Sequence, residues 1–123
     1  MNEQWQNLLN RTSDSSKDTS LPKLFKYILE RDTSTADMRF HFFYEATAGN
    51  EVIRQKLLNR YMEFFSIISQ KISERTDKVS SYYLAWAALL MSDGLLMQKM
   101  LGNTKLSTNA FIRQTEEYLK QLL

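Results

Sequence analysis

Between Tyr82 and Leu101 the chain reads YYLAWAALLMSDGLLMQKML, apolar on nearly every side yet carrying Ser92, Asp93 and Gly94 at its middle. A membrane-spanning helix needs about 20 nearly unbroken apolar residues. Here the apolar run from Tyr82 to Met91 gives way to Ser-Asp-Gly, and Gln98 and Lys99 follow. The stretch is too short and too polar to span, so it is expected to be a covered helix of a soluble protein. A helix that is apolar all round is buried on most sides, and the fold turns on what covers this one.

The 3.6-residue period sorts the stretch into two apolar faces. One holds Tyr82, Trp86, Leu89, Leu96 and Met100, with Asp93 in the same row. The other holds Tyr83, Ala87, Leu90, Gly94, Met97 and Leu101, spaced alternately by four and three. Ser81, Ala85, Ser92 and Lys99 suggest a narrow wet edge. The second face has the spacing of a helix seam, and Ala87 and Gly94 would let two helix axes approach closely. Two arrangements compete: the middle helix of a monomeric bundle, or a helix with one face on its own domain and the other on a second copy. Asp93 is the costly residue if buried alone, and it is expected to meet a hydroxyl or a lysine.

Working outward, the surrounding sequence is helical throughout. Six segments show helical periodicity and none shows sustained alternation, so the chain reads as an all-α, six-helix bundle. Residues 1–11 carry Trp5, Leu8 and Leu9 on one face, and Thr12 to Ser20 form a polar loop. Pro22 sits just inside the next helix, with Ser20 as its cap and Leu24, Phe25, Ile28 and Leu29 as its stripe. A helix containing ADMRFHFFYEATA stops at Gly49, and Asn50 opens another at once, a tight corner. The segment from Asn50 to Arg75 repeats Ile53, Leu57, Tyr61, Phe64, Phe65, Ile68 and Ile72. After the opening stretch, Gly102 and Asn103 end the helix. Ser107 or Thr108 then caps a last one bearing Phe111, Thr115, Tyr118 and Leu122, a second stripe able to complete a four-helix interface with a symmetry mate.

Composition narrows the class. At 123 residues the chain is one domain, large enough for a core without covalent staples. Hydrophobic residues at 43% and charged residues at 24% exclude a disordered chain. The absence of cysteine rules out disulfides and thiolate metal sites and points to the cytoplasm. A net charge of +2 is too weak to argue for nucleic acid or an anionic membrane. No export signal is visible at the N-terminus.

The helix order, and the SDGLLMQ motif from Ser92 to Gln98 inside an apolar helix, resemble the C-terminal region of TetR-family transcriptional regulators. The resemblance covers roughly Leu21 to Leu123, and residues 1–11 would match the end of a linking helix. It implies a bacterial regulator, often a repressor, in which the last two long helices build a dimeric four-helix interface and the earlier ones enclose an effector. The interface would take Tyr83, Ala87, Leu90, Gly94, Met97, Leu101, Phe111, Tyr118 and Leu122. Family members begin with a helix-turn-helix domain, and no such element precedes Trp5, so DNA would be reached only through a missing N-terminal part. The expectation is an excised effector domain rather than a protein that has lost its DNA reader.

The aromatic cluster RFHFFYEA covers more of a helix than one core stripe requires. Phe42 and Tyr44, with His41, Trp5, Phe25, Tyr61, Phe65 and Trp86, are the expected lining of a pocket for a small, largely apolar effector. His41 and Glu45 share a helix face, but no further histidine or cysteine exists to complete a metal site, and no cofactor is expected. A helical adaptor that dimerises without a small ligand is the rival reading, and a filled core would favour it. An enzyme is not expected: the chain has no nucleophile elbow, glycine-rich phosphate loop or paired metal motif.

Overall fold

The computed structural model describes residues 20–30 and 36–122, and these contain five helices and no strand. They are α1 (Leu21–Leu29), α2 (Ala36–Thr47), α3 (Glu51–Ser73), α4 (Ser81–Leu101) and α5 (Thr108–Leu122). The sixth helix expected within residues 1–11, and Trp5 with it, lie outside the described residues. The all-α class holds.

Local chemistry sets the helix ends. Asn50 opens α3 by accepting from the Ile53 N–H at 3.1 Å, and Gly49 turns the corner at φ +112°, a region open to glycine. Ser80 accepts from the Tyr83 N–H at 3.2 Å, and Ser107 accepts from the Ala110 N–H at 3.2 Å. Gly102, at φ +69°, ends α4: its N–H donates to the Lys99 carbonyl and that of Asn103 to the Gln98 carbonyl, a Schellman closure. Ser20 departs from expectation. It occupies the cap position of α1, but its side chain makes no capping hydrogen bond, and Pro22 needs none, since proline has no N–H to satisfy.

α1 is the hub. It packs against both α4 and α5, while α3 runs along α4 and α2 lies on α3. Leu21, Leu24, Phe25, Ile28 and Leu29 are all buried, so this short helix shows almost no apolar surface to water. Burying each such side chain contributes about 1.5–3 kcal/mol.

The greasy helix α4 answers its own question, with one correction. Its buried residues are Leu84, Ala85, Ala88, Leu89, Ser92, Leu95 and Leu96. Ala85 and Ser92, expected on a wet edge, are 0% and 4% exposed. Their small size is the reason: it lets α1 approach, and the Ser92 hydroxyl donates to the Ile28 carbonyl at 3.5 Å. The first predicted face lies along α3. Trp86 stacks on Phe65 with ring centroids 4.7 Å apart, Tyr82 meets the same ring edge-on, and Asp93 accepts from the Tyr61 hydroxyl.

α5 turns Ile112, Glu116 and Leu119 inward. Glu116, 6% exposed, pairs with Lys23 of α1 at 2.7 Å. That hydrogen bond holds the Glu116 carboxyl below the ordinary carboxylate range; desolvation opposes the shift, and the charges of Lys23, Lys120 and Lys26 assist it. A carboxyl lowered in the folded state adds stability above its unfolded pKa and loses it as pH falls through the folded value. Thermal melts should therefore drop as the solution is acidified through the carboxylate range. Glu116→Gln should cost about 1–3 kcal/mol at neutral pH and flatten part of that acid slope; an unchanged slope would show that the pair contributes nothing.

Candidate ligand cleft and apolar face

α2, α3 and α4 enclose a cleft made of two adjoining hollows of about 50 and 220 Å³. Both are lined by Arg39, Phe43, Tyr61 and Asp93. The smaller adds Leu57, Arg60 and Phe64 from α3, and the larger adds Phe40 from α2 with Leu96 and Met97 from α4. Helical spacing makes the walls: residues 39, 40 and 43 share one face of α2, and 57, 60, 61 and 64 share one face of α3. The Tyr61 hydroxyl donates to Asp93 Oδ2 at 2.5 Å and ties α3 to α4 where the hollows meet. Apolar walls with a few converging polar groups are the make-up of a binding site.

Of the residues expected to line a pocket, Tyr61 does so here. Phe25 is 1% exposed in the core beneath α4 and α5. Phe65 and Trp86 form their stack against the core rather than in the cleft. Phe42 is half-buried and His41 and Tyr44 are exposed, and none of the three lines either hollow. His41 Nε2 stands 4.0 Å from Glu45 Oε1, with the imidazole largely in solvent. No group of three or more His, Asp or Glu side chains converges on a metal position among the described residues. Phe40 and Phe43 belong to the aromatic cluster expected to supply part of a pocket, whereas Arg39, Leu57, Arg60, Phe64 and Leu96 were not expected there. The buried Ala46, in phase with Arg39 and Phe43, is the residue that marks the inner face of α2.

The second predicted face of α4 is open. Tyr83, Leu90 and Leu101 are 69%, 68% and 76% exposed, Met97 is exposed beside them, and Ala87 is half-buried. Among the described residues, a side chain built at Gly94 would meet nothing within 4 Å. On α5, Tyr118 and Leu122 are exposed and Phe111 is half-buried. Between the two helices runs a groove of about 270 Å³, bordered by Tyr83, Ala87, Met91, Phe111 and Tyr118, with Phe25 among its lining. Contiguous apolar surface of this kind marks an interaction site. Met97 belongs both to this face and to the cleft.

The fold and site thus define an all-helical domain with an amphipathic cleft and an open apolar seam. Among the described residues no helix is long and apolar enough to cross a membrane. No family model, curated protein or solved structure matches the chain.

Proposed function

We propose that this chain is the effector-binding and dimerisation domain of a TetR-like transcriptional regulator. Two copies pair through the open faces of α4 and α5, and each cleft receives a small, largely apolar effector. The observation that carries this reading is the seam itself. Tyr83, Ala87, Leu90, Gly94, Met97 and Leu101 alternate by four and three, the spacing of a left-handed helix pair, and among the described residues nothing fills the space over Gly94.

Met97 links the two activities, since one side chain borders the cleft and stands in the seam. A ligand that binds one arrangement of α2 and α3 against α4 more tightly than another shifts the population of dimer geometries, and so the placement of any DNA reader joined to it. Differential affinity is the whole mechanism; no bond is made or broken.

Native mass spectrometry of the purified chain tests both halves at once. The expected species is a dimer, with additional mass where a small molecule has co-purified. A ligand-free monomer at tens of micromolar would defeat the proposal, while a dimer whose cleft accepts no small molecule would favour the adaptor reading.

A further inference from the structure

The open seam of α4 reads the same in both directions. Tyr83, Ala87, Leu90, Gly94, Met97 and Leu101 are separated by four, three, four, three and four residues, a pattern symmetric about Ser92. The two-fold axis of a dimer can run along a pair of such helices or across it. Along it, the helices are parallel and every seam residue meets its own copy. Gly94 and Ala87 then leave gaps, while Tyr83, Leu90 and Met97 crowd. Across it, the helices are antiparallel, and 83 meets 101, 87 meets 97 and 90 meets 94.

The antiparallel pairing evens out side-chain volume. Leu90, 68% exposed, finds room over Gly94 of the second copy, where among the described residues a Cβ meets nothing within 4 Å. Met97 lies on Ala87, and Tyr83 on Leu101. Protein interiors pack as densely as organic crystals, so layers joining large to small are filled, and layers joining like to like are void or overpacked. A slide by one heptad would strand either Met97 and Leu101 or Tyr83 and Ala87 without a counterpart. None of the six is charged, so no like charges face each other across the axis. The crossing axis also sets both α5 helices on one side of the α4 pair, because α5 flanks α4 across a single groove. The area is adequate as well. Tyr83, Leu90, Met97 and Leu101, with Tyr118 and Leu122 of α5, are 50–76% exposed. At about 150–200 Å² for a large side chain, they offer on the order of 600–700 Å² per subunit, close to the roughly 800 Å² per partner of a stable interface.

We infer that the second copy lies antiparallel on α4, with the two-fold axis at the level of Ser92, Leu90 of each copy seated on Gly94 of the other and Met97 on Ala87. This rests on the pairing of two copies through α4 and adds its direction and register. Met97 also borders the cleft, so one side chain separates each cleft from the second copy.

The chain has no cysteine, so introduced thiols report alone. Ala87→Cys and Met97→Cys, made in separate chains of which one carries a size tag, are mixed in denaturant, refolded together and treated with a short bis-maleimide. Its reach matches the roughly 8–10 Å between packed helix axes. In the inferred register 87 faces 97, while each of these positions lies about 15 Å along the helix from its own copy. The expected product joins tagged to untagged chain in about half of the dimers, the random share of mixed pairs, and falls at least about tenfold in either variant alone. Tyr83→Cys with Leu101→Cys carries the same expectation should the first pair fail to refold, with about 27 Å between like positions. Light scattering on the unmodified chain separates the outcomes. A dimer in which each variant links to its own kind would make the helices parallel, overturning the register and leaving the pairing. A dimer that links in no combination would overturn the register too. A monomer would defeat the pairing itself.

Discussion

Gly94→Leu should turn a dimer into a well-folded monomer. Within one subunit the substitution has room, because a Cβ at this position meets nothing within 4 Å among the described residues. It also replaces the poorest helix former after proline with one of the best, a gain of about 0.8–1 kcal/mol in a helix interior. Helical circular dichroism and the reversibility of melting should therefore be kept or improved. In the proposed seam the same side chain is inserted twice, once from each subunit, where glycine and Ala87 would allow close approach. Overpacking a tight contact costs about 1–3 kcal/mol per site. Doubled by symmetry, that weakens association by about thirtyfold or more. Light scattering after size exclusion reads the outcome directly: a mutant with the wild-type dimer mass at the same concentration would place the seam elsewhere.

The parts of this structure legible in the sequence are those that depend on near neighbours. The Gly49–Asn50 corner, the Gly102 stop and the serine cap before α5 are set within a few residues, and each lies where the side chains require it. The α1 stripe was equally readable, since Leu24, Phe25, Ile28 and Leu29 stand in one amphipathic row. The cost of burying a carboxylate alone predicts a hydroxyl or a lysine beside Asp93 at an interface edge; the partner is the Tyr61 hydroxyl, and the place is the cleft between α3 and α4.

Rotational phase was the part that stayed hidden. α2 and α4 carry apolar residues on every side, so periodicity ranks no face above another. On α2 the aromatic cluster stands out as a whole, but of it only Phe40 and Phe43, with Arg39, line the cleft, and Phe42 and Tyr44 do not. On α4 the error came from reading smallness as wetness. Ala85 and Ser92 each bury little apolar area, yet small residues are what a close helix crossing needs. Only α1, some sixty residues away in sequence, decides which small residues are crossed. The two arginines of the cleft were missed for a related reason: a charged residue on a helix reads as solvated until its neighbours in space are known.

Ala85→Asp is the sharpest check on that phase. If the reading from periodicity alone were right, an acidic residue on a wet edge would change stability by no more than the small helix-propensity loss, about 0.7 kcal/mol or less. In the structure Ala85 is 0% exposed, between Leu84, Ala88 and Leu89 on the buried side of α4. An aspartate there is too short to carry its charge out to water, unlike a lysine, which snorkels. It must stay charged in an apolar contact, take up a proton, or force α1 away from α4. An uncompensated buried charge costs about 3–5 kcal/mol, a large share of the 5–15 kcal/mol that stabilises a typical domain. The expected result is loss of the cooperative melt or a fall in its midpoint of many degrees. Gly94→Asp, on the same helix, provides the contrast: it should keep the helical signal of the single subunit while abolishing assembly, because its new charge meets water in the monomer and its own copy in the dimer. If Ala85→Asp melted like wild type, α1 would not be seated on this face, and the hub on which both the cleft and the open seam depend would be wrongly placed.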